Sequence, residues 1–185
     1  MLGVGVKPFL GDGSFAEYVT VPVGAGLARI PDGVSFTQAA VLGLAGSAAV
    51  DALDATAISA GTMVLVAGAT GGVGNPAVQL AATVGAYVIA TARTDAEREH
   101  VTLVSTIAQS AEQVAAPHAT FVGVHATPST QTLDRLATPR TTQHTRVVVE
   151  RTYRLDGAPD ALAHFRAGTL GKLVILVVDP DESAA

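Results

Sequence analysis

Ala69-Thr70-Gly71-Gly72-Val73-Gly74 is the stretch of this chain whose residue types and spacing suggest chemistry. Glycines let a backbone approach a pyrophosphate closely, and the N–H groups that open a following helix point at it. Ala69 replaces the first glycine of the usual pattern, so the motif is weak alone and depends on its flanks. Residues 62–68 form a short apolar run, the pattern of a strand buried on both faces. From Val73 a helical period places Ala77, Leu80, Ala81 and Val84 on one face, with Asn75, Gln79 and Thr83 elsewhere. Pro76 falls in the first turn, where N–H groups are spare. Gly85 suits a left-handed stop, and residues 87–90 read as a second buried strand. Strand, glycine turn, helix and strand compose a dinucleotide-binding unit. The alternative is a glycine turn that holds no ligand.

Arg93 is the second candidate. NAD-specific folds place an acid after the second strand for the ribose hydroxyls, whereas this strand ends Thr91-Ala92-Arg93. A guanidinium there suits the 2′-phosphate of NADP through charge-assisted pairing, so NADPH is the expected cofactor. The plainer reading is a surface arginine near Asp95 and Glu97.

Other reactive residue types form no constellation. His100, His118, His125, His144 and His164 lack metal-ligand spacing, and the chain has no cysteine, so neither a metal site nor a catalytic side chain is expected. Ser47 follows Gly46 but lacks the surrounding nucleophile elbow. Gly171-Lys172 lacks the upstream glycine of a phosphate loop and reads as a turn into the last strand. A short-chain dehydrogenase needs a lysine four residues after a tyrosine. Tyr18, Tyr87 and Tyr153 are followed there by Pro22, Thr91 and Gly157, which excludes that class. A methyltransferase would want an acid at the end of the second strand, and none is there.

With 185 residues the chain is one large domain, or one and a fraction. Hydrophobic residues make up 49%, but there are only three tyrosines, five phenylalanines and no tryptophan, so the core is built of Ala, Val and Leu. A net charge of −5 leaves no basic footprint for nucleic acid. No apolar run approaches the ~20 residues of a membrane span, and no signal peptide is evident. A cytoplasmic setting without membrane contact is the expectation.

In chain order, residues 13–22 alternate as a strand ended by Pro22, and residues 27–31 form a short extended piece. Ser35 and Gln38 form a capping box that opens a helix. Residues 48–57 read as another helix. Residues 120–125 read as a strand. Thr127 as N-cap and Pro128 at the first position open a helix to about Ala137. Residues 138–146 read as loop and 147–153 as extended. Asp156 is expected to cap a helix over 159–167 that Gly168 stops, before a buried strand over 173–178.

Several of these pieces resemble one family. Gly13-Ser14-Phe15-Ala16-Glu17-Tyr18-Val19, Ala28-Arg29-Ile30-Pro31-Asp32-Gly33-Val34-Ser35 and the 69–74 turn are similar to quinone oxidoreductases. These belong to the zinc-free branch of the medium-chain dehydrogenase/reductase superfamily. Tyr153-Arg154-Leu155-Asp156-Gly157-Ala158-Pro159-Asp160-Ala161-Leu162 and Gly168-Thr169-Leu170-Gly171-Lys172-Leu173-Val174 match the family's closing helix and strand. The resemblance implies an α/β, Rossmann-like dinucleotide-binding domain with a remnant of a GroES-like β domain. On that reading residues 1–45 are the remnant and 46–185 the NADP-binding domain, closed by a strand over 172–178. Two departures stand out. Family members carry most of the GroES-like domain ahead of the point where this chain begins. They also place two strands with their helices where this chain is shortened, near 97–101. The 101–106 segment, similar to the family's fifth strand, then pairs either with the first strand or with the outer edge of the second. In relatives a threonine stands about where Ala48 is and lines the nicotinamide end.

The resemblance implies NADPH-dependent hydride transfer to a quinone or another activated carbonyl compound, with no obligatory side-chain acid or base. Its cofactor contacts fall on Ala69, Gly71, Gly72, Val73, Gly74, Thr91, Arg93 and Thr106. It also implies a homodimer paired through residues 120–125. The competing reading is a non-catalytic nucleotide-binding or dimerisation remnant of such an enzyme.

Overall fold

A computed structural model describes residues 2–3, 14–22, 26–92, 94–95, 128–138, 145 and 147–177. The expected strands over 101–106 and 120–125, the cap Thr127 and most of the 138–146 loop lie outside them.

Two β-α-β units carry the architecture. In the first, β3 (Met63–Val66) leads through the glycine turn into α2 (Gly74–Thr83) and returns as β4 (Tyr87–Ala90). The two strands are parallel, with Met63 opposite Tyr87 and Val66 opposite Ala90. Gly85 stops α2 at φ 82°, as expected. In the second unit β5 (Val149–Arg154) passes through a 3-10 turn (Leu155–Gly157) and α4 (Ala158–Ala167) to β6 (Lys172–Leu176). These strands are also parallel, with an irregularity between Val149 and Arg151. Gly157 rather than Asp156 occupies the N-cap of α4, and no side chain caps it, because Asp156 is taken up in the 3-10 turn.

Burial departs from the expected pattern at two places. Val64 and Val66 pack against the α2 cluster, but Met63 and Leu65 remain 62% and 52% exposed. The strand is thus covered on one face, because α2 packs on that side alone. At the two caps of α2 Val73 and Val84 are exposed, whereas Asn75 and Gln79 on the helix are buried. Burial of these amides is compensated locally: Gln79 Nε2 donates to Asn75 Oδ1 at 2.7 Å and to the Asn75 carbonyl at 3.2 Å.

A long central helix, α1 (Phe36–Ala55), joins everything. Ser35 caps it as expected, its Oγ accepting from Gln38 N at 3.2 Å. The two helices expected here are one. Interior glycines cost a helix about 1 kcal/mol each relative to alanine, but at Gly46 the missing side chain is useful. A Cβ there would stand 2.9 Å from Leu136 Cδ1, so glycine admits the fully buried Leu136. Ser47 is also fully buried, and its Oγ donates to the Gly43 carbonyl at 2.7 Å, which removes it as a nucleophile. By length and composition α1 could cross a membrane, contrary to the run-length expectation; half of it lies in the interior, and it carries Asp51 and Asp54.

Leu136 belongs to α3 (Thr130–Leu136), which is capped by Ser129 rather than Thr127, with the Thr132 N–H donating to Ser129 Oγ at 3.1 Å. Pro128 therefore stands ahead of the cap. Arg135 makes two hydrogen bonds to Asp54, tying the end of α1 to α3 and holding the Asp54 carboxyl below its ordinary range. Both side chains are about half exposed, so the pair registers the two helices and contributes little stability.

The N-terminal pieces are slight. β1 (Leu2–Gly3) pairs antiparallel with β2 (Leu27–Ala28). The strand expected over 13–22 does not form among its described residues, 14–22. Phe15 and Tyr18 stand 58% and 92% exposed, since no described strand pairs with the segment to give its alternation a face to bury.

Candidate cofactor site

The glycine turn leaves β3 at Gly68 (φ 70°) and closes with Gly71 N donating to the Gly68 carbonyl at 3.0 Å. That bond uses the Gly71 amide, which was expected to face a ligand. The first helical bonds are Asn75 N to Gly71 O and Ala77 N to Val73 O. Among the described residues the amides of Gly72, Val73 and Gly74 donate to no protein acceptor. Val73, at the N-cap, supplies no side-chain cap either. Three amides at a helix start are thus open to an anion.

Around them the expected residues take distinct places. Ala69 is buried beneath the turn. Gly71 and Gly72 line a cleft of about 620 Å³. Thr91 follows β4, and its Oγ1 accepts from Gly68 N at 2.9 Å, which fixes the entry to the turn. Arg93 and Thr106 lie outside the described residues, as do four of the five histidines. Ala48 is not among the residues lining the cleft.

Sequence reading missed Lys172. It does begin the last strand, as expected of a turn into it, but its side chain crosses to the glycine turn. A Cβ on Gly72 would collide with the Lys172 Cε and Nζ. The ammonium therefore sits against the Gly72 backbone, at the wall of the same cleft. It has no hydrogen bond or ion pair among the described residues. Burial pushes its pKa below the ordinary lysine value. An anion placed against the turn would supply the missing counter-charge. No local signal could have found this contact, since residues 72 and 172 meet only through the tertiary fold. The cleft is also lined by the apolar side chains of Phe15, Leu44 and Phe165.

Comparison with known proteins bears on the fold. No protein-family model matches the chain. A zinc-type alcohol dehydrogenase-like protein of Schizosaccharomyces pombe is 39% identical over 85 residues, which is 46% of this chain and 26% of that protein. A highly reducing polyketide synthase of Preussia isomera is 39% identical over 89 residues, 48% of this chain and 4% of the synthase. Among solved structures, the quinone oxidoreductase of Thermus thermophilus, also solved in complex with NADPH, superposes with a TM-score of 0.70 at 24% identity. The match covers 89% of this chain and 74% of that one. The quinone oxidoreductase of Coxiella burnetii gives 0.67 at 21% identity, over 82% of this chain and 64% of its own. The matches thus span 64% and 74% of these two enzymes, and only 26% and 4% of the two relatives matched by sequence. The structural neighbours are quinone oxidoreductases and alcohol dehydrogenase-superfamily proteins, and the chain has their α/β, Rossmann-like fold.

Proposed function

We propose that this chain is an NADPH-binding oxidoreductase module whose reaction is hydride transfer to a quinone or another activated carbonyl compound. The observation that carries the reading is the Lys172 ammonium, without a partner among the described residues, set against a glycine turn with three amides that those residues leave open. A cation beside the open amides of a glycine turn suits a pyrophosphate. The Thermus thermophilus neighbour, solved with NADPH, supports this choice. When bound, the nicotinamide supplies the hydride, and the protein's task is to hold and orient it. Gly72, Val73, Gly74 and Lys172 hold the pyrophosphate in this reading, and Arg93 holds the 2′-phosphate by its sequence position after β4. The apolar side chains of Phe15, Leu44 and Phe165 favour an apolar acceptor. Pairing of two copies through residues 120–125 is part of the same proposal and rests on sequence alone.

A second reading, nucleotide binding without turnover, is favoured by one observation: residues 14–22 lie open, with Tyr18 92% exposed, so part of an acceptor wall is not built. Orientation of reactants is worth ~7–11 kcal/mol of a barrier, so a missing wall would erase turnover while leaving cofactor affinity.

Fluorescence titration with NADPH, followed by an oxidation assay with a simple quinone, separates the two. Saturable binding with quinone-dependent oxidation supports the enzyme, and binding without oxidation supports the module alone. No binding rejects both. Arg93→Ala is expected to weaken NADPH about 10- to 150-fold, with the lower end favoured in salt, while NADH is nearly unchanged. Equal loss for both cofactors would remove Arg93 from the site.

Affinity should also depend on pH through Lys172. An anion is attracted by the protonated amine, whose pKa burial lowers. Binding is therefore fullest below that pKa and declines as pH rises through it, at a lower pH than an exposed lysine would give. NADPH titrations from neutral to alkaline pH check this, with Lys172→Met expected to flatten the alkaline decline.

A further inference from the structure

The turn that delivers Lys172 is held from behind by a second polar cluster outside the cleft. Glu150 on β5 uses both oxygens: Oε2 accepts from the Leu170 amide at 2.6 Å, and Oε1 meets His164 Nε2 at 3.0 Å. His164 Nδ1 lies 2.7 Å from the Tyr153 hydroxyl, and the two rings meet edge to face with centroids 6.2 Å apart. An ionised carboxylate only accepts, so His164 donates to Glu150 from Nε2; at Nδ1 a neutral ring accepts from the Tyr153 O–H, and a protonated ring donates to its oxygen. Hydrogen bonds from Tyr153 through His164, and from Leu170, thus converge on Glu150. The Arg151 guanidinium lies 5.1 Å over the Tyr153 ring.

None of Glu150, Tyr153 and His164 lines the cleft, so any effect they have on it passes through the 168–171 turn. That turn is short and demanding. It begins at Gly168 with φ 102° and ends at Gly171 with φ 110°, and the next amide, Lys172 N, donates to the Val148 carbonyl at 2.8 Å. Leu170 is the residue of this turn whose amide a side chain holds, and the lysine emerges two positions later.

We propose that Glu150, braced by His164 and Tyr153, is a positioning residue that fixes the 168–171 turn and so aims the Lys172 ammonium at Gly72. The inference rests on the cofactor reading above for its effect on binding, and on the turn alone for its effect on the lysine. Its sign opposes simple electrostatics. Removing a carboxylate from the neighbourhood of an anion site should tighten anion binding, whereas loss of the positioning contact should weaken it.

The test compares Glu150→Ala, Glu150→Gln, Lys172→Ala and the Glu150→Ala/Lys172→Ala pair in the full chain, by NADPH titration and by NMR titration of the Lys172 amine. Glu150→Ala is expected to weaken NADPH about ten-fold, the loss of one charged hydrogen bond. It should add nothing in the Lys172→Ala background, and it should return the lysine pKa toward its ordinary value. Glu150→Gln keeps an oxygen for the Leu170 amide and should stay near the wild type in both readouts, which covers the case in which the alanine variant does not fold. Tighter binding by Glu150→Ala, a ten-fold loss in Glu150→Gln, multiplying losses in the double variant, or an unmoved lysine titration in Glu150→Ala would overturn the proposal. If the wild type does not bind NADPH, the cofactor reading falls, and the lysine titration still decides the positioning role.

Discussion

Gly74→Ala is expected to destabilise the chain by roughly 3 kcal/mol or more and to abolish nucleotide binding. A Cβ at this position would lie 2.8 Å from both the Ala69 Cα and the Gly68 carbonyl carbon, and closer still to the Gly68 oxygen. All three are backbone atoms, so no rotamer relieves the overlap. Relief requires that the start of α2 move away from the end of β3, and that movement dismantles the open amides. Urea denaturation measures the first effect and NADPH titration the second. Gly72→Ala is the control. Its Cβ would meet the flexible end of Lys172 rather than backbone, so the melt should change little while affinity falls. A Gly74→Ala protein as stable as wild type would mean that the turn is not built this closely.

The second large effect is expected at Gly171→Ala. This residue has φ 110°, a conformation that costs an L residue ~1–2 kcal/mol or more. Its added Cβ would also stand 2.5 Å from the Val148 carbonyl and 3.0 Å from the Val148 side chain. Strain and overlap together predict a loss of roughly 2–5 kcal/mol. Because the Val148 carbonyl accepts the Lys172 amide, the bond just ahead of β5 that leads into its pairing with β6 is disturbed as well. Thermal unfolding of the variant should show a clear fall in midpoint, and an unchanged midpoint would exclude this geometry. Gly33→Ala, at φ 83° with open space around it, isolates the strain contribution alone.

The contrast between these glycines and the rest of the chain explains what sequence could reveal. β3, the turn, α2 and β4 were legible because each signal there is local: an apolar run, a glycine cluster, a helical period and a stop at Gly85. The same holds for the Ser35 cap. The errors arise where a distant element decides. The helix expected over 48–57 is part of the longer α1, where Leu136, some ninety residues after Gly46, turns that glycine into a packing site. Asn75 and Gln79 look like surface residues until their mutual hydrogen bond allows burial. The alternation over 14–22 is a strand pattern without a neighbour to pair with. Of the candidate site, the amides were legible and the lysine was not. Nothing in Gly171-Lys172 says that its ammonium reaches residue 72. The comparison with solved structures extends the fold beyond what these local signals fix, although identity stays at 24% or below for the neighbours described.

The central helix has a consequence for cooperativity. Ala39 and Val50 of α1 join the cluster with Leu133 and Leu136, Val41 and Leu42 join the one with Val147 and Val174, and Leu53 packs on the one built by α2 and β4. All three clusters therefore share one rod. A β-α-β unit can open by itself only if its apolar contacts end within it, and here neither unit meets that condition. Heat absorbed at one end of α1 loosens the footing of both strand pairs at once. The described elements are accordingly expected to melt in one calorimetric transition, and a mild lesion such as a cavity at Val50 should be felt at the glycine turn and at the closing strand alike.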